Sequence, residues 1–265
     1  AVLCSFVVCS SRLSLSRCFV SVSLALNCLL RVPVSCVSCL SLLNRFFVVE
    51  RERERDLWKM GDPPLDSDAR IKLSIGAKQH GNADGQLRAP RGFAFDHHRG
   101  LLLVVDSYNS RVQVFSCDDG SFVSKFGEEG EQPGQFKRPN GIAIDHDHDR
   151  ILVVDSGNHR VQPWSLSEQS FLSCIGHQGS GDLEFQYPRG IAIDKHHHRI
   201  IIVDTNNHRL VFLSSIDLSF LFSVGGKQGS QPGEFNRLSG IAIDDDRHRI
   251  IVSASGNHRV QVLSS

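Results

Sequence analysis

Residues 155–162 read DSGNHRVQ, residues 205–210 read TNNHRL and residues 255–262 read SGNHRVQV. A weaker copy, DSYNSR, occupies residues 106–111. The asparagines of the four copies are 49, 49 and 50 residues apart in the chain. A motif that returns at a fixed period of this length predicts a set of equivalent structural units stacked side by side.

A second marker keeps the same period. The text GFAFD or GIAID recurs with its glycine at Gly92, Gly141, Gly190 and Gly240. Short runs rich in Ile and Val, such as GIAID and ILVVD, are typical of strands buried on both faces. In RVQVF and RVQVL, polar and apolar residues alternate, which is typical of a strand with one more solvent-exposed face. A further strand-like run, such as SFVSKFG, follows in the chain.

Four strands in each repeat predict propeller blades. The predicted fold is all-β, a β-propeller of four four-stranded blades whose marker glycines allow close backbone approach near the central channel. The predicted repeats span about 73–122, 123–171, 172–220 and 221–265. The run RIKLSIG at 70–76 resembles a fourth strand and could complete the last blade. Because that exchange would close a ring without a free edge, we favour a closed four-bladed ring over an incomplete arc.

These segments resemble NHL repeats, which are named for an Asn-His-Leu signature, over about three quarters of the chain. The resemblance implies a β-propeller, most often of six blades, that serves as a substrate-binding or RNA-binding module in larger proteins, including RING-containing ubiquitin ligases. Three positions depart from the pattern: Ser110 replaces the His, Ala254 replaces the turn Asp, and Pro163 interrupts a strand. Since proline cannot donate to a ladder, the strand of Pro163 is predicted to lie at a blade edge.

The first 59 residues differ from the rest. They precede Met60, the single methionine, and contain alternations such as RERER at 51–55, which a dinucleotide repeat would encode. We interpret 1–59 as untranslated or disordered leader, 60–69 as linker and 70–265 as the propeller. One alternative for 1–59 is a signal peptide or membrane anchor, although the apolar run 18–30 is shorter than a membrane-spanning helix. Another is a zinc site at Cys36 and Cys39, although no second pair of ligands follows nearby.

The turn motifs carry chemistry-bearing residues. Asp106, Asp155 and Asp204 precede an Asn by three residues and an Arg by five, which predicts a hydrogen-bonded turn lock in each blade. The His/Asp-rich stretches that follow Asp96, Asp145, Asp194 and Asp244 contain metal-ligand side chains. We interpret them as solvated turns between first and second strands, because a shared metal site would require turns of different blades to converge. No catalytic motif is found, so no catalytic residue, metal, cofactor or small-molecule substrate is predicted.

The two faces of the predicted propeller differ. The inter-blade loops and the turns between second and third strands share one face, the loop face, and the His/Asp turns share the other, the turn face. We predict a partner-binding surface on the loop face, with the candidate residues Arg91, Tyr108, Lys137, Arg138, Asn140, His159, Tyr187, Arg189, His208, Arg237 and His258. Exposed Tyr and Arg favour a protein or peptide partner.

Composition narrows the function further. With 29 basic and 29 acidic residues the chain lacks a strongly basic footprint, which disfavours RNA without excluding a local patch. The leading hypothesis is a non-enzymatic protein-interaction scaffold, extended to the substrate-recognition part of a ubiquitin-ligase-like protein whose RING is not in this chain. The alternatives are an RNA-binding NHL module and a metal-dependent lyase-like propeller enzyme. The repeats contain only Cys117 and Cys174, which predicts a reducing, cytoplasmic location, and no membrane partner is predicted.

Overall fold

The computed structural model describes residues 73–77 and 79–264. The predictions for the leader 1–59 and the linker 60–69 lie outside the described residues. Within the described ranges, no helix has the length and hydropathy needed to cross a bilayer. What is described is an all-β structure of antiparallel sheets joined by short 3-10 turns, which confirms the predicted fold class at this level.

Four antiparallel sheets follow one another along the chain as blades. Blade 1 contains β1 (Pro90–Asp96), β2 (Leu101–Asp106), β3 (Arg111–Ser116) and β4 (Phe122–Phe126). After the short pair β5 (Glu128–Glu129) and β6 (Gln135–Phe136), blade 2 contains β7 (Ile142–Asp145), β8 (Arg150–Asp155) and β9 (Arg160–Ser165). After β10 (His177–Gln178) and β11 (Glu184–Phe185), blade 3 contains β12 (Ile191–Asp194), β13 (Arg199–Asp204), β14 (Arg209–Ser214) and β15 (Phe220–Gly225). Blade 4 contains β16 (Leu238–Asp244), β17 (Arg249–Ala254) and β18 (Arg259–Ser264).

The core lies between the blades. Successive residues of a strand point to opposite sheet faces, so each blade packs on both of its neighbours. Ile151 and Val153 of β8 pack against blade 1, whereas Leu152 and Val154 of the same strand pack against blade 3. The runs ILVVD and IIIVD are therefore buried on both faces, as the sequence pattern predicts.

The marker glycines bring the inner strands together. A Cβ on Gly141 would lie 2.3 Å from the Arg189 carbonyl oxygen of the next blade, and one on Gly92 would lie 2.5 Å from the Asn140 oxygen. The Gly92 N–H donates to that same oxygen at 2.8 Å. Close backbone approach is thus confirmed for these glycines. At Gly240, in the last blade, the nearest atom to such a Cβ is the Ser253 hydroxyl at 3.2 Å.

The predicted closed ring of four blades is wrong. The inner strands pack in chain order, β1 on β7, β7 on β12 and β12 on β16, and the described residues show no ring closure. Both flanks of the array expose apolar side chains: Phe93 of β1 is 71% exposed and Val260 of β18 is 62% exposed. Among the described residues, the four blades therefore follow one another as an open series.

The segment predicted to complete the last blade lies elsewhere. The described part of 70–76 forms no strand, and β18 has only β17 as a ladder partner among the described residues. A Cβ on Gly120, in the turn before β4, would lie 3.0 Å from Leu73 Cδ1 and 3.3 Å from Ile75 Cγ1. The apolar side chains of this segment therefore cover blade 1, the blade nearest in the chain, rather than blade 4.

Blade 2 has an irregular outer edge. Pro163 lies on β9, the last strand of a three-stranded ladder, as predicted for a residue without a backbone donor. Beyond it, the chain makes only the bridges Val161 to Ile175 and Trp164 to Phe171. Trp164 is buried at the junction of blades 1 and 2, where its ring packs on Phe126, with a centroid distance of 4.7 Å.

Candidate functional site

An aspartate at the end of the second strand organises the loop-face turn in blades 1, 2 and 3. In blade 2, Asp155 Oδ2 accepts hydrogen bonds from Asn158 Nδ2 at 2.9 Å and from Arg160 Nε at 2.8 Å. Asp155 Oδ1 accepts from the backbone N–H of Lys137 at 2.7 Å. The Arg160 guanidinium also donates to three carbonyl oxygens of the preceding inter-blade loop, those of Glu131, Gln132 and Gln135. The lock thus fastens the loop to its blade.

The same lock occurs three times, which confirms its predicted structural role. Asp106 and Asp204 accept from the equivalent Asn and Arg side chains at 2.8–2.9 Å. The carboxylates of all three blades are fully buried, and burial raises the pKa of Asp155 and Asp204 above its ordinary value, while their hydrogen bonds oppose that shift. In blade 4, where Ala254 replaces the Asp, Asn257 and Arg259 keep only their contacts to the loop carbonyls.

The motif histidine joins neighbouring blades. His159 ends its turn with a left-handed φ of 56°, and its Nδ1 accepts the backbone N–H of Tyr187 from the next inter-blade loop at 3.1 Å. His208 accepts from Arg237 N in the same way at 3.4 Å. His159 is only 8% exposed, because its ring lies against the next inter-blade loop. Its role in partner binding stays a prediction. Burial lowers the pKa of His159, and Asp204 opposes this shift.

A cleft opens on the loop face where three inter-blade loops meet. Its volume is about 870 Å³ and it extends over blades 1, 2 and 3. Five of the predicted contact residues line it, namely Tyr108, Lys137, Arg138, His159 and Tyr187. Arg88, which sequence reasoning missed, lines it as well. We call this group the loop-face cleft.

Tyr108 is the central aromatic residue of the cleft. Its side chain is 51% exposed, and the Arg88 and Arg138 guanidinium carbons lie 5.9 and 6.0 Å from its ring centroid. Both distances fall within the range of cation–π attraction. Across the cleft, Tyr187 is 46% exposed and its ring contacts the edge of His159 at 4.4 Å. The cleft therefore presents two half-exposed tyrosines and two arginines, and within the described part of the chain neither Arg88 nor Arg138 forms an ion pair with a carboxylate.

Two further cations of the cleft are paired with acids. Lys137 Nζ lies 2.7 Å from Glu131 Oε1, and this contact raises the pKa of Lys137 and lowers that of Glu131. Arg160 is held by Asp155. The available positive charge is consequently concentrated beside Tyr108 rather than spread over the face.

The remaining predicted contact residues lie away from the cleft. Arg91, Asn140 and Arg189 line the mouth of the central channel, a separate depression about 470 Å³ in volume. His208, Arg237 and His258 line neither depression. The predicted contact residues thus fall into three groups, one in the cleft, one at the channel mouth and one at the periphery. Partner binding by any of these groups stays a prediction.

On the opposite face, the His/Asp turns of neighbouring blades converge in pairs. The ring of His146 in blade 2 lies 4.9 Å from that of His97 and 4.4 Å from that of His98 in blade 1. His196 of blade 3 similarly approaches His248 of blade 4 at 4.3 Å. Burial lowers the pKa of His146, whereas Asp96 opposes this shift. Sequence reasoning treated these turns as separate; the signal it missed is the histidine directly after the strand-ending Asp in two successive repeats.

Family models match much of the repeat region. A model described as a 6-bladed beta-propeller matches residues 95–178, and a model described as the NHL repeat matches residues 185–211 and 235–263. These matches confirm the resemblance to NHL-repeat β-propellers that was drawn from the sequence. The first model describes six blades, whereas four are described here. No curated protein matches the sequence.

Solved structures share the fold at low identity. A chain of a nidogen/laminin complex is 17% identical with a TM-score of 0.50, and the match covers 68% of this chain and 66% of that one. An auxiliary nutrient binding protein from Bacteroides ovatus is 15% identical with a TM-score of 0.51, covering 67% of this chain and 48% of that one. Hydrazine synthase of Kuenenia stuttgartiensis is 11% identical with a TM-score of 0.51, covering 71% and 48%. This chain thus spans about half to two thirds of these relatives.

Proposed function

We propose that the chain is a non-enzymatic interaction module that holds a protein or peptide partner in the loop-face cleft. The observation that carries the proposal is Tyr108, half exposed between Arg88 and Arg138. Tyrosine and arginine are the side chains that most often dominate protein–protein binding energy, especially where a concave surface excludes water around them. A partner side chain that packs on Tyr108 and carries a carboxylate would satisfy both guanidinium groups.

The charge balance favours a protein over RNA. In the loop-face cleft, Lys137 and Arg160 are paired with acids, which leaves Arg88 and Arg138 as the arginines available to a phosphate. Phosphate neutralisation supplies most of the affinity of non-specific RNA binding. One of the similar solved structures comes from a complex of two proteins, nidogen and laminin, which is in keeping with a propeller that binds protein.

A finer part of the proposal concerns cellular role. We place the module in the cytoplasm, since Cys117 and Cys174 are free thiols, and we assign it to substrate recognition in a ubiquitin-ligase-like protein because of its family resemblance. Cell fractionation tests the first statement. Ubiquitination of the captured partner, measured with and without this protein, tests the second.

Site-specific photo-crosslinking tests the main proposal. A benzophenone amino acid replaces Tyr108 in the full chain expressed in cells, and a matched protein carries it at His198, an exposed residue of the turn face. We expect discrete protein adducts at position 108 that position 198 does not give. Adducts that are equal at both positions, or adducts to RNA at position 108, would overturn the proposal.

Binding of the captured partner then tests the residues. Tyr108→Ala and Arg138→Ala should each weaken binding by about 30-fold, the effect of losing a hot-spot side chain. His198→Ala should leave it unchanged. An RNA module would instead show affinity that falls steeply with salt, so affinity measured over a range of salt concentrations distinguishes the alternatives.

A further inference from the structure

Three histidines from two blades surround one point on the turn face. His97 and His98 follow β1, and His146 follows β7, the equivalent strand of blade 2. One ring nitrogen from each lies within 4.8 Å of those of the other two. In a tetrahedral zinc site, Zn–N bonds of about 2.0 Å place the nitrogens roughly 3.3 Å apart. His97 and His98 are exposed, so small rotations of these side chains can close the difference.

A buried carboxylate next to the cluster has an unused oxygen. Asp96 is 1% exposed, and its Oδ2 has no hydrogen-bond partner among the described residues. Its Oδ1 accepts the backbone N–H of His98 at 3.1 Å and lies 3.9 Å from His146 Nε2. The nearby Arg99 donates instead to the Leu166 carbonyl oxygen, and its Nε stays 3.9 Å from Asp96 Oδ2, beyond hydrogen-bond distance.

The other three turns show what is missing at Asp96. In each, the residue five positions after the Asp is an arginine whose Nη2 donates to the carboxylate, at 2.6 Å for Asp145 and Asp194 and 2.5 Å for Asp244. The corresponding residue after Asp96 is Leu101. Asp96 therefore lacks the short arginine contact of the other three turns, and the His146 imidazole lies 3.9 Å from its Oδ1. The long ion pair with Arg99 leaves Asp96 Oδ2 without a hydrogen bond, and since an unsatisfied buried carboxylate is costly, a cation bound beside it would be stabilised.

The geometry points to a binding site for a divalent transition-metal ion, Zn²⁺ in the first instance, formed by His97, His98 and His146 with Asp96 beside them. Imidazole nitrogens suit Zn²⁺, and a nearby carboxylate fixes and polarises ligating histidines. Since the ligands come from two blades, the ion would cross-link blades 1 and 2. The inference does not depend on the proposed partner cleft, which lies on the opposite face.

Metal binding by the full, tag-free chain tests this site. We expect elemental analysis after zinc loading and dialysis to show an ion that His97→Gln and His146→Gln each lose, with affinity reduced at least about tenfold. His196→Gln is the matched control, because His196 lies at the analogous junction of blades 3 and 4, where no comparable group of three ligand atoms occurs among the described residues. It should bind as the native chain does.

Two further readouts keep the test decisive. Co²⁺ substituted for zinc should give the spectrum of nitrogen and oxygen ligands without the charge-transfer bands of thiolates, which excludes the eight cysteines as the source of binding. Zinc should raise the melting temperature of the native chain and of His196→Gln but not of His146→Gln. If the ligand variants misfold, Asp96→Asn replaces them and should weaken binding about 10- to 100-fold. A native chain that retains no zinc, a thiolate spectrum, or equal loss in His196→Gln would overturn the site.

Discussion

Blades 2 and 4 contain the same seven residues, SGNHRVQ, at 156–162 and at 255–261. In blade 2, His159, Arg160 and Val161 are buried, whereas in blade 4 His258, Arg259 and Val260 are exposed. The heptapeptide forms the same 3-10 turn with the same left-handed histidine in both places. Local sequence therefore determines the turn, and the presence of a following blade determines burial.

Removing the lock carboxylate should have the largest effect. Asp155→Ala leaves the buried Arg160 without its partner, and we expect the free energy of unfolding to fall by about 3–5 kcal/mol. Arg259→Ala, in the blade that lacks the Asp, should cost less than about 1 kcal/mol. Urea titration followed by circular dichroism measures both. If the two variants lost similar amounts of unfolding free energy, the buried lock of blade 2 would stabilise the protein no more than the contacts of Arg259 in blade 4.

Filling the space at the inner strands should have an intermediate effect. Gly141→Ala forces a methyl group to within 2.3 Å of the Arg189 carbonyl oxygen, and we expect a loss of about 1–3 kcal/mol from overpacking. Gly240→Ala meets only the Ser253 hydroxyl, which can rotate, and should be close to neutral. Thermal unfolding of the pair measures the difference. A neutral Gly141→Ala would mean that blades 2 and 3 separate easily at the channel.

The smallest expected effect is the pH dependence of stability that arises from His159, which contacts the next blade. Burial lowers the pKa of His159 below its ordinary value of 6.5, while Asp204 and Asp155 oppose the shift and Lys137 adds to it. The unfolded chain then binds a proton at a higher pH than the folded chain does. Above 6.5 both forms are neutral, so stability is lost as pH falls from 6.5 towards the lower folded pKa.

His159→Gln keeps an acceptor for the Tyr187 N–H and removes the titrating ring. We expect it to change stability by less than about 1 kcal/mol at neutral pH and to reduce the loss on acidification. Urea midpoints from about pH 7 to about pH 5 measure the slope. A loss of stability on acidification that is as steep in His159→Gln as in the native chain would contradict the prediction.

Much of the fold follows from local sequence. The alternation of RVQVF, the double-sided burial of ILVVD and the contacts of Asp155, Asn158 and Arg160 within eight residues all depend on short-range geometry, which periodicity reveals. The position of the Pro163 strand at the edge of its ladder follows from the backbone N–H that proline lacks. The strands and turns were predictable because their sequence patterns recur in successive repeats.

The features that the sequence did not predict depend on how neighbouring blades contact one another. Curvature decides whether four blades form a ring or an arc, and no repeat encodes it in its own residues. The sideways direction of His159 depends on the Tyr187 N–H, 28 residues further along the chain. The meeting of His97, His98 and His146 likewise requires two turns 49 residues apart to lie side by side. Arg88 was missed although GQLRAPRG at 85–92 matches GQFKRPNG at 134–141, which places Arg88 at the position of the predicted contact residue Lys137.

Trp164 makes one of these blade junctions visible by spectroscopy. The chain contains two tryptophans, and Trp164 packs among Phe126, Phe136 and Phe171 where blades 1 and 2 meet. In a Trp58→Phe protein, intrinsic fluorescence would report that junction alone, whereas circular dichroism averages every sheet. Repeat arrays open unit by unit when coupling between neighbours is weak. The offset between the two melting curves would therefore measure how cooperatively the array unfolds.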